Sequence, residues 1–232
     1  MGFGPQLVDI DGNGTKDIVS GSWPGEIYLF KRKPIGVYSA PEKLKDASGA
    51  FIKIGSASAV AMADWDNDGD LDLLIGNIEG VVFRSFNDGT SQKPSFRTPE
   101  KLSAGGKPIA VSGGDAGPCL ADWDGDDKLD LLLGSGSGSV VWHRNIGEKH
   151  KPELEAARTL VEGTNAEPQG KAQFDNPQRS GMRSKVAVAD WNGDGKLDLL
   201  VGDFASGAER KYHGWVWVYL RKSPAVTAQV AP

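Results

Sequence analysis

The sequence predicts an all-β fold, a β-propeller built from four blades of four antiparallel strands. Three observations carry that expectation. An Asp-rich loop of nine residues occurs four times, at 9–17, 64–72, 122–130 and 190–198. Each copy is flanked by short apolar runs bounded by Gly, which read as buried strands. The loops start 55, 58 and 68 residues apart, the length of a supersecondary unit stacked in an array or ring.

The elements of one repeat follow in order. A first apolar strand precedes each loop, at 6–8, 59–63, 118–121 and 186–189. A second follows it, at 18–19, 73–75, 131–133 and 199–201. After a Gly comes a third run rich in β-branched and aromatic residues, as strands prefer, at 25–30, 80–84, 138–143 and 214–219. A fourth segment opens with Pro, at 34–44, 94–102, 152–160 and a shorter 224–232. Four hairpin-linked strands per repeat describe a propeller blade. The expected blades are 1–45, 57–103, 116–161 and 184–232, in a single domain over 1–232. Trp65, Trp123 and Trp191 share the second loop position with Ile10, a recurrence that predicts packing between blades.

The loop itself predicts a hard cation. Positions 1, 3, 5 and 9 are Asp or Asn in every copy: Asp9, Asp11, Asn13 and Asp17; Asp64, Asp66, Asp68 and Asp72; Asp122, Asp124, Asp126 and Asp130; Asp190, Asn192, Asp194 and Asp198. Ca²⁺ takes six to eight oxygens, and carboxylates on alternate residues of a tight loop supply them. Position 7 varies (Thr15, Asp70, Lys128, Lys196), which suits a ligand acting through its backbone carbonyl. Gly14, Gly69 and Gly195 occupy position 6, where a sharp turn favours positive φ, and Asp127 replaces Gly in the third copy. An EF-hand fails, because position 12 is Ser20, Ile75, Leu133 or Val201 rather than Glu. Zinc and copper are disfavoured, since no His or Cys lies in any loop. Mg²⁺ suits an all-protein oxygen cage less well than Ca²⁺. The plain alternative is a set of Asx turns, but three or four carboxylates within nine residues repel one another without a cation.

The pattern Asp-x-Asp-x-Asp-Gly-x-x-Asp-Leu, followed by an apolar strand and Gly, resembles the FG-GAP/VCBS repeat family over nearly the whole chain. The resemblance implies a propeller with up to four Ca²⁺, one per blade, held between the first and second strands. It implies weaker binding in the first and fourth loops, where Asn13 and Asn192 replace carboxylates. Family propellers often have seven blades, whereas this chain shows four, a number within the range of propellers; a ring closed at four is favoured over part of a larger ring or an open array.

Composition sets further limits. Gly numbers 31 and Pro 13, which suits a turn-rich all-β chain. The net charge of −5 includes 14 Asp at positions 1, 3, 5 and 9; without them it would be +9, and with four Ca²⁺ it would be +3. None of these values is basic enough to indicate nucleic acid. No apolar run reaches membrane-spanning length. Residues 1–4 lack the charged start and apolar core of a secretory leader. Cys119, the single cysteine, reads as a small buried hydrophobe. His143 and Arg144 read as ordinary exposed residues.

Strand alternation puts the Asp loops on one face of the ring and the irregular connections on the other. Two long connections there, 161–184 and 203–213, carry Phe174, Asp175, Arg179, Arg183, Arg210, Tyr212 and His213, a cluster expected to hold a protein or glycan partner. The functional expectation is a non-catalytic, calcium-stabilised binding or scaffolding module that is secreted, periplasmic or on the cell surface. The rivals are a secreted polysaccharide hydrolase or lyase and a structural subunit of a larger assembly.

Overall fold

The computed structural model describes residues 4–164, 181–206 and 212–222, in which every regular element is a strand. Blade one comprises β1 (Gln6–Val8), β2 (Asp17–Ser20), β3 (Tyr28–Phe30) and β4 (Glu42–Lys43). Blade two comprises β5 (Ala59–Ala63), β6 (Asp72–Gly76), β7 (Val82–Ser85) and β8 (Glu100–Lys101). A small ribbon, β9 (Ser103–Ala104) with β10 (Lys107–Pro108), leads to blade three: β11 (Gly117–Ala121), β12 (Asp130–Gly134), β13 (Val140–His143) and β14 (Arg158–Val161). Blade four holds β15 (Met182–Ala189), β16 (Asp198–Ser206), β17 (Tyr212–His213) and β18 (Val216–Tyr219). The strands of each blade are antiparallel and pair in sequence order in the first three. The protein is a four-bladed β-propeller, as the repeat predicts.

Blade four departs in detail. Both β17 and β18 pair with β16, opposite 205–206 and 199–202, so its third strand comes in two pieces. The Pro-started segment expected as its fourth strand lies outside the described residues.

Three apolar clusters sit at the three junctions between successive blades. Ile10, Val19 and Ile27 of blade one meet Met62, Leu73 and Ile75 of blade two. Trp65, Leu74 and Val82 then meet Ala116, Leu131 and Leu133. Trp123, Leu132 and Val140 meet Leu199 and Val201. A second strand such as β6 sends Leu73 and Ile75 backward and Leu74 forward, the period of two of a pleated strand. Buried on both faces, it is apolar throughout instead of alternating.

The Gly ending each second strand has a steric reason. A Cβ on Gly21, Gly76 or Gly134 would lie 1.9, 2.2 and 2.2 Å from the carbonyl oxygens of Ser58, Ala116 and Ser184 in the next blade. Only a residue without a side chain lets the blades approach this closely.

Candidate metal centre

Each Asp loop turns twice through the left-handed region. Positions 4 and 6 have φ of 62° and 83° (Gly12, Gly14), 64° and 101° (Asn67, Gly69), 80° and 64° (Gly125, Asp127), and 75° and 82° (Gly193, Gly195). Asp127 thus adopts the conformation that Gly takes in the other copies.

The first Asp holds this turn in shape. Its two carboxylate oxygens accept the N–H groups of positions 5 and 6. For Asp64 these are Asp68 and Gly69, at 2.9 and 3.0 Å, and Asp9, Asp122 and Asp190 repeat the arrangement. The side chain at position 5 accepts the N–H of position 7 in every loop.

The last Asp is buried in all four copies, at Asp17, Asp72, Asp130 and Asp198. One oxygen accepts the backbone N–H that follows the third strand: Arg32, Asn87, Asn145 and Arg221 donate at 2.6, 2.9, 2.7 and 2.8 Å. The other accepts the N–H of Trp65, Trp123 or Trp191 in the last three blades. Position 9 is therefore a staple between the loop and the third strand. Burial pushes the Asp72 carboxyl up to about 7, against the bonds that favour its charged form. Burial likewise raises Asp17 and Asp130.

Each carboxylate oxygen in these bonds keeps a second lone pair for a cation. In the second loop, one oxygen each of Asp64, Asp66 and Asp72 lie within 4.8 Å of one another; in the third loop Asp122, Asp124 and Asp126 do the same. Among the described residues these are the two groupings of three or more metal-ligating side chains. Oδ1 of Asp66, Oδ1 of Asp11 and Oδ2 of Asp17 are buried without a hydrogen-bond partner. Burial first, and Asp68 second, raise the Asp66 carboxyl above its ordinary range. Buried, unpaired, mutually repelling oxygens fit a hard divalent ion, which would supply the missing charge and partners together.

The loops are not equal. In blade three, Arg144 places Nε 2.5 Å from Asp124 and an Nη 3.1 Å from Asp126, and Lys128 stands 3.9 Å from Asp126. Arg144 is held above its ordinary pKa, chiefly by Asp124. In blade one, Lys31 lies 3.2 Å from Asp11. Strand register places Lys31 and Arg144 at one structural position, the residue after the third strand, where blade two has Phe86 and blade four Leu220. Phe86 stacks on Trp65 at 6.2 Å between ring centres. Loop 64–72 therefore has Asp at all five odd positions and an aromatic ring where blades one and three carry a basic side chain. Reading the sequence missed Lys31 and Arg144. Their shared signal is spacing, since each follows the last Asp of its own loop by 14 residues. His143, too, is not the exposed residue expected: it is 5% exposed, and its Nδ1 bonds the Glu155 carbonyl at 2.9 Å.

The sequence-proposed partner cluster is described only in part. Phe174, Asp175, Arg179 and Arg210 lie outside the described residues, and Tyr212 and His213 are seen as the backbone of β17. Arg183 sits in β15 with its guanidinium 5.9 Å from the centre of the Phe204 ring. A cleft of about 400 Å³ runs along β13 and β14, from the turn between β12 and β13 to His143. Ser112, Ser137, Ser139, His143, Thr159 and Glu162 are among the polar residues that line it, over an apolar floor that includes Val111 and Val141.

Fold and loops together define a class: a repeat propeller whose blades each carry an oxygen-rich turn. The profile of the FG-GAP-like repeat matches residues 9–75 and 122–201. The chain belongs to this family. It is 31% identical over 144 residues to cartilage acidic protein 1 of Xenopus tropicalis and 30% identical over 144 residues to the human protein of that name, in each case over 58% of this chain. The matches cover 21% and 20% of those proteins, so the chain spans about a fifth of the relatives it resembles. Among solved structures, an Agrocybe aegerita lectin that recognises non-reducing terminal N-acetylglucosamine matches with a TM-score of 0.51 and 20% identity, over 92% of this chain and 51% of that one. This last likeness concerns the fold.

Proposed function

We propose that this protein is a non-catalytic binding or scaffolding module that works outside the cytoplasm, is stabilised by Ca²⁺, and takes a glycan or protein partner on the side away from the Asp loops. The observation that carries the reading is the separation of two features. Acidic turns with orphaned buried oxygens join the first and second strands, while a polar cleft with an apolar floor runs along the outer strands β13 and β14. Ca²⁺ in the turns would fix the blades, while the cleft offers hydroxyls and one carboxylate to a ligand. Hydroxyl groups over apolar side chains suit a sugar, and the lectin of matching fold recognises one. Loop 64–72 is the strongest Ca²⁺ site, followed by loops 122–130, 9–17 and 190–198. Affinities typical of extracellular calcium modules, about 10⁻⁴–10⁻³ M, would fill such sites outside a cell and leave them empty in cytosol.

The polysaccharide-hydrolase reading finds less support. Glycoside hydrolysis ordinarily uses two carboxyl groups flanking the scissile bond, and among the described residues Glu162 is the single carboxylate lining the cleft. The test is a glycan array followed by calorimetry in millimolar Ca²⁺, with Thr159→Trp as a variant that fills the cleft from an exposed position. Binding lost in Thr159→Trp with an unchanged melting temperature supports the assignment. Binding that survives this change places the ligand elsewhere.

A further inference from the structure

Three junctions between blades share one construction, and among the described residues the fourth blade presents the same construction with no blade packed against it. At loop position 2, Ile10, Trp65 and Trp123 are buried at 4, 3 and 7% exposure, whereas Trp191 is 61% exposed. Trp65 donates its indole N–H to the Leu129 carbonyl of the next blade, and Trp123 lies under the Arg221 guanidinium of the next blade, at 4.3 Å. At the start of the third strand, Val82 and Val140 are fully buried, whereas Val216, in the same register, is 69% exposed. Gly76 and Gly134 each meet a carbonyl of the following blade, whereas a Cβ on Gly202 would approach only the Lys185 carbonyl of its own blade, at 3.9 Å. Among the described residues, the forward side of blade four is thus an unmated half-junction.

The other half lies on blade one. In the first strand, two residues before the loop, Met62 points into the junction behind its blade at 7% exposure. Leu7 holds that position in blade one and is 56% exposed. The described residues therefore expose both halves of an interface that they build internally three times.

We propose that a second copy of this chain mates these surfaces head to tail, blade four of each copy on blade one of the other. The occupant follows from continuity with the internal junctions: the surface around Trp191, Gly202 and Val216 is shaped for the first strand of a repeat of this type, and blade one is such a repeat with that side uncovered. Two copies bring eight blades, within the range of closed propellers, and leave no half-junction exposed. Three copies would exceed that range. The arrangement is a heterologous contact that closes by two-fold symmetry, which avoids the open filament that an unclosed contact would produce.

Sedimentation equilibrium over a wide concentration range tests this. The expected result is a species of twice the 24.7 kDa chain mass. Trp191→Asp and Leu7→Asp each convert the dimer to monomer with an unchanged β-sheet circular dichroism spectrum, because both side chains are solvent-facing in the single chain. Mixed one to one, the two variants associate again through one junction, in which the unaltered blade four of one meets the unaltered blade one of the other. A wild-type chain that stays monomeric at every concentration overturns the proposal. So does a dimer indifferent to both substitutions, or one lost with Trp191→Asp yet kept with Leu7→Asp, which would mean that blade four pairs with itself.

Discussion

Arg144 carries the strongest lesson at the scale of single residues. A loop that satisfies every requirement of acidic spacing can still meet its charge from within, and this chain does so with Lys31 in blade one and Arg144 in blade three. Arg144→Ala is expected to raise the Ca²⁺ affinity of loop 122–130 several-fold, read by calorimetry as a tightened second step, while Asp66→Ala removes the step belonging to loop 64–72. An unchanged isotherm in Arg144→Ala would show that its guanidinium swings aside at no cost. The Asp positions were legible because the loops repeat in sequence. Lys31 and Arg144 were not, because they reach the loop across a strand pair and alternate with Phe86 and Leu220. His143 was misjudged for a related cause: a polar residue closing a run of apolar ones reads as the exposed end of a strand, yet here it is buried and bonded to the Glu155 carbonyl. Burial lowers its pKa below the ordinary 6.5. The neutral imidazole is therefore favoured in the fold, and the unfolded chain takes up the proton first as pH falls. The stability linked to His143 is complete above about pH 6.5 and is lost as pH drops through the depressed value. Urea midpoints measured from pH 7.5 to 5 should fall more steeply for the wild type than for His143→Gln.

At the scale of the strand, the glycines that end the second strands were read only as boundaries. Their role is the close approach of one blade to the next, which no local pattern announces. Gly76→Ala would push a methyl group against the Ala116 carbonyl and is expected to cost about 1–3 kcal/mol. Gly202→Ala, made in the same strand position of blade four, should stay within about 0.5 kcal/mol in dilute protein. Chemical denaturation of the pair checks the contrast, and equal losses would contradict the geometry. The same comparison explains why the sequence placed all three loop tryptophans between blades and was right for Trp65 and Trp123 alone. Position within a repeat fixes where a side chain points, while burial needs a neighbour on that side. The two-piece third strand of blade four was equally hidden, since the residues from 203 to 213 read as one long hairpin.

For the molecule as a whole, blade number and strand order were legible because a repeat states its architecture several times over. The cleft along β13 and β14 was not, being made by side chains from distant segments. If Ca²⁺ binds the folded chain alone, a tenfold excess over its dissociation constant at one site adds about 1.4 kcal/mol. For a chain of this size that raises the melting temperature by about 3–6 °C. Calorimetry with and without chelator measures it, and identical curves would remove the cation from the account. The buried staple at the ninth loop position has its own consequence. Each one ties a turn to a backbone amide 15 residues onward, or 23 in blade four, so every repeat is knotted to itself before it meets a neighbour. Such short-range closure lets a blade take shape locally, and successive blades then dock in series, so hydrogen exchange should proceed from the outermost repeats inward and reach the middle of the chain last.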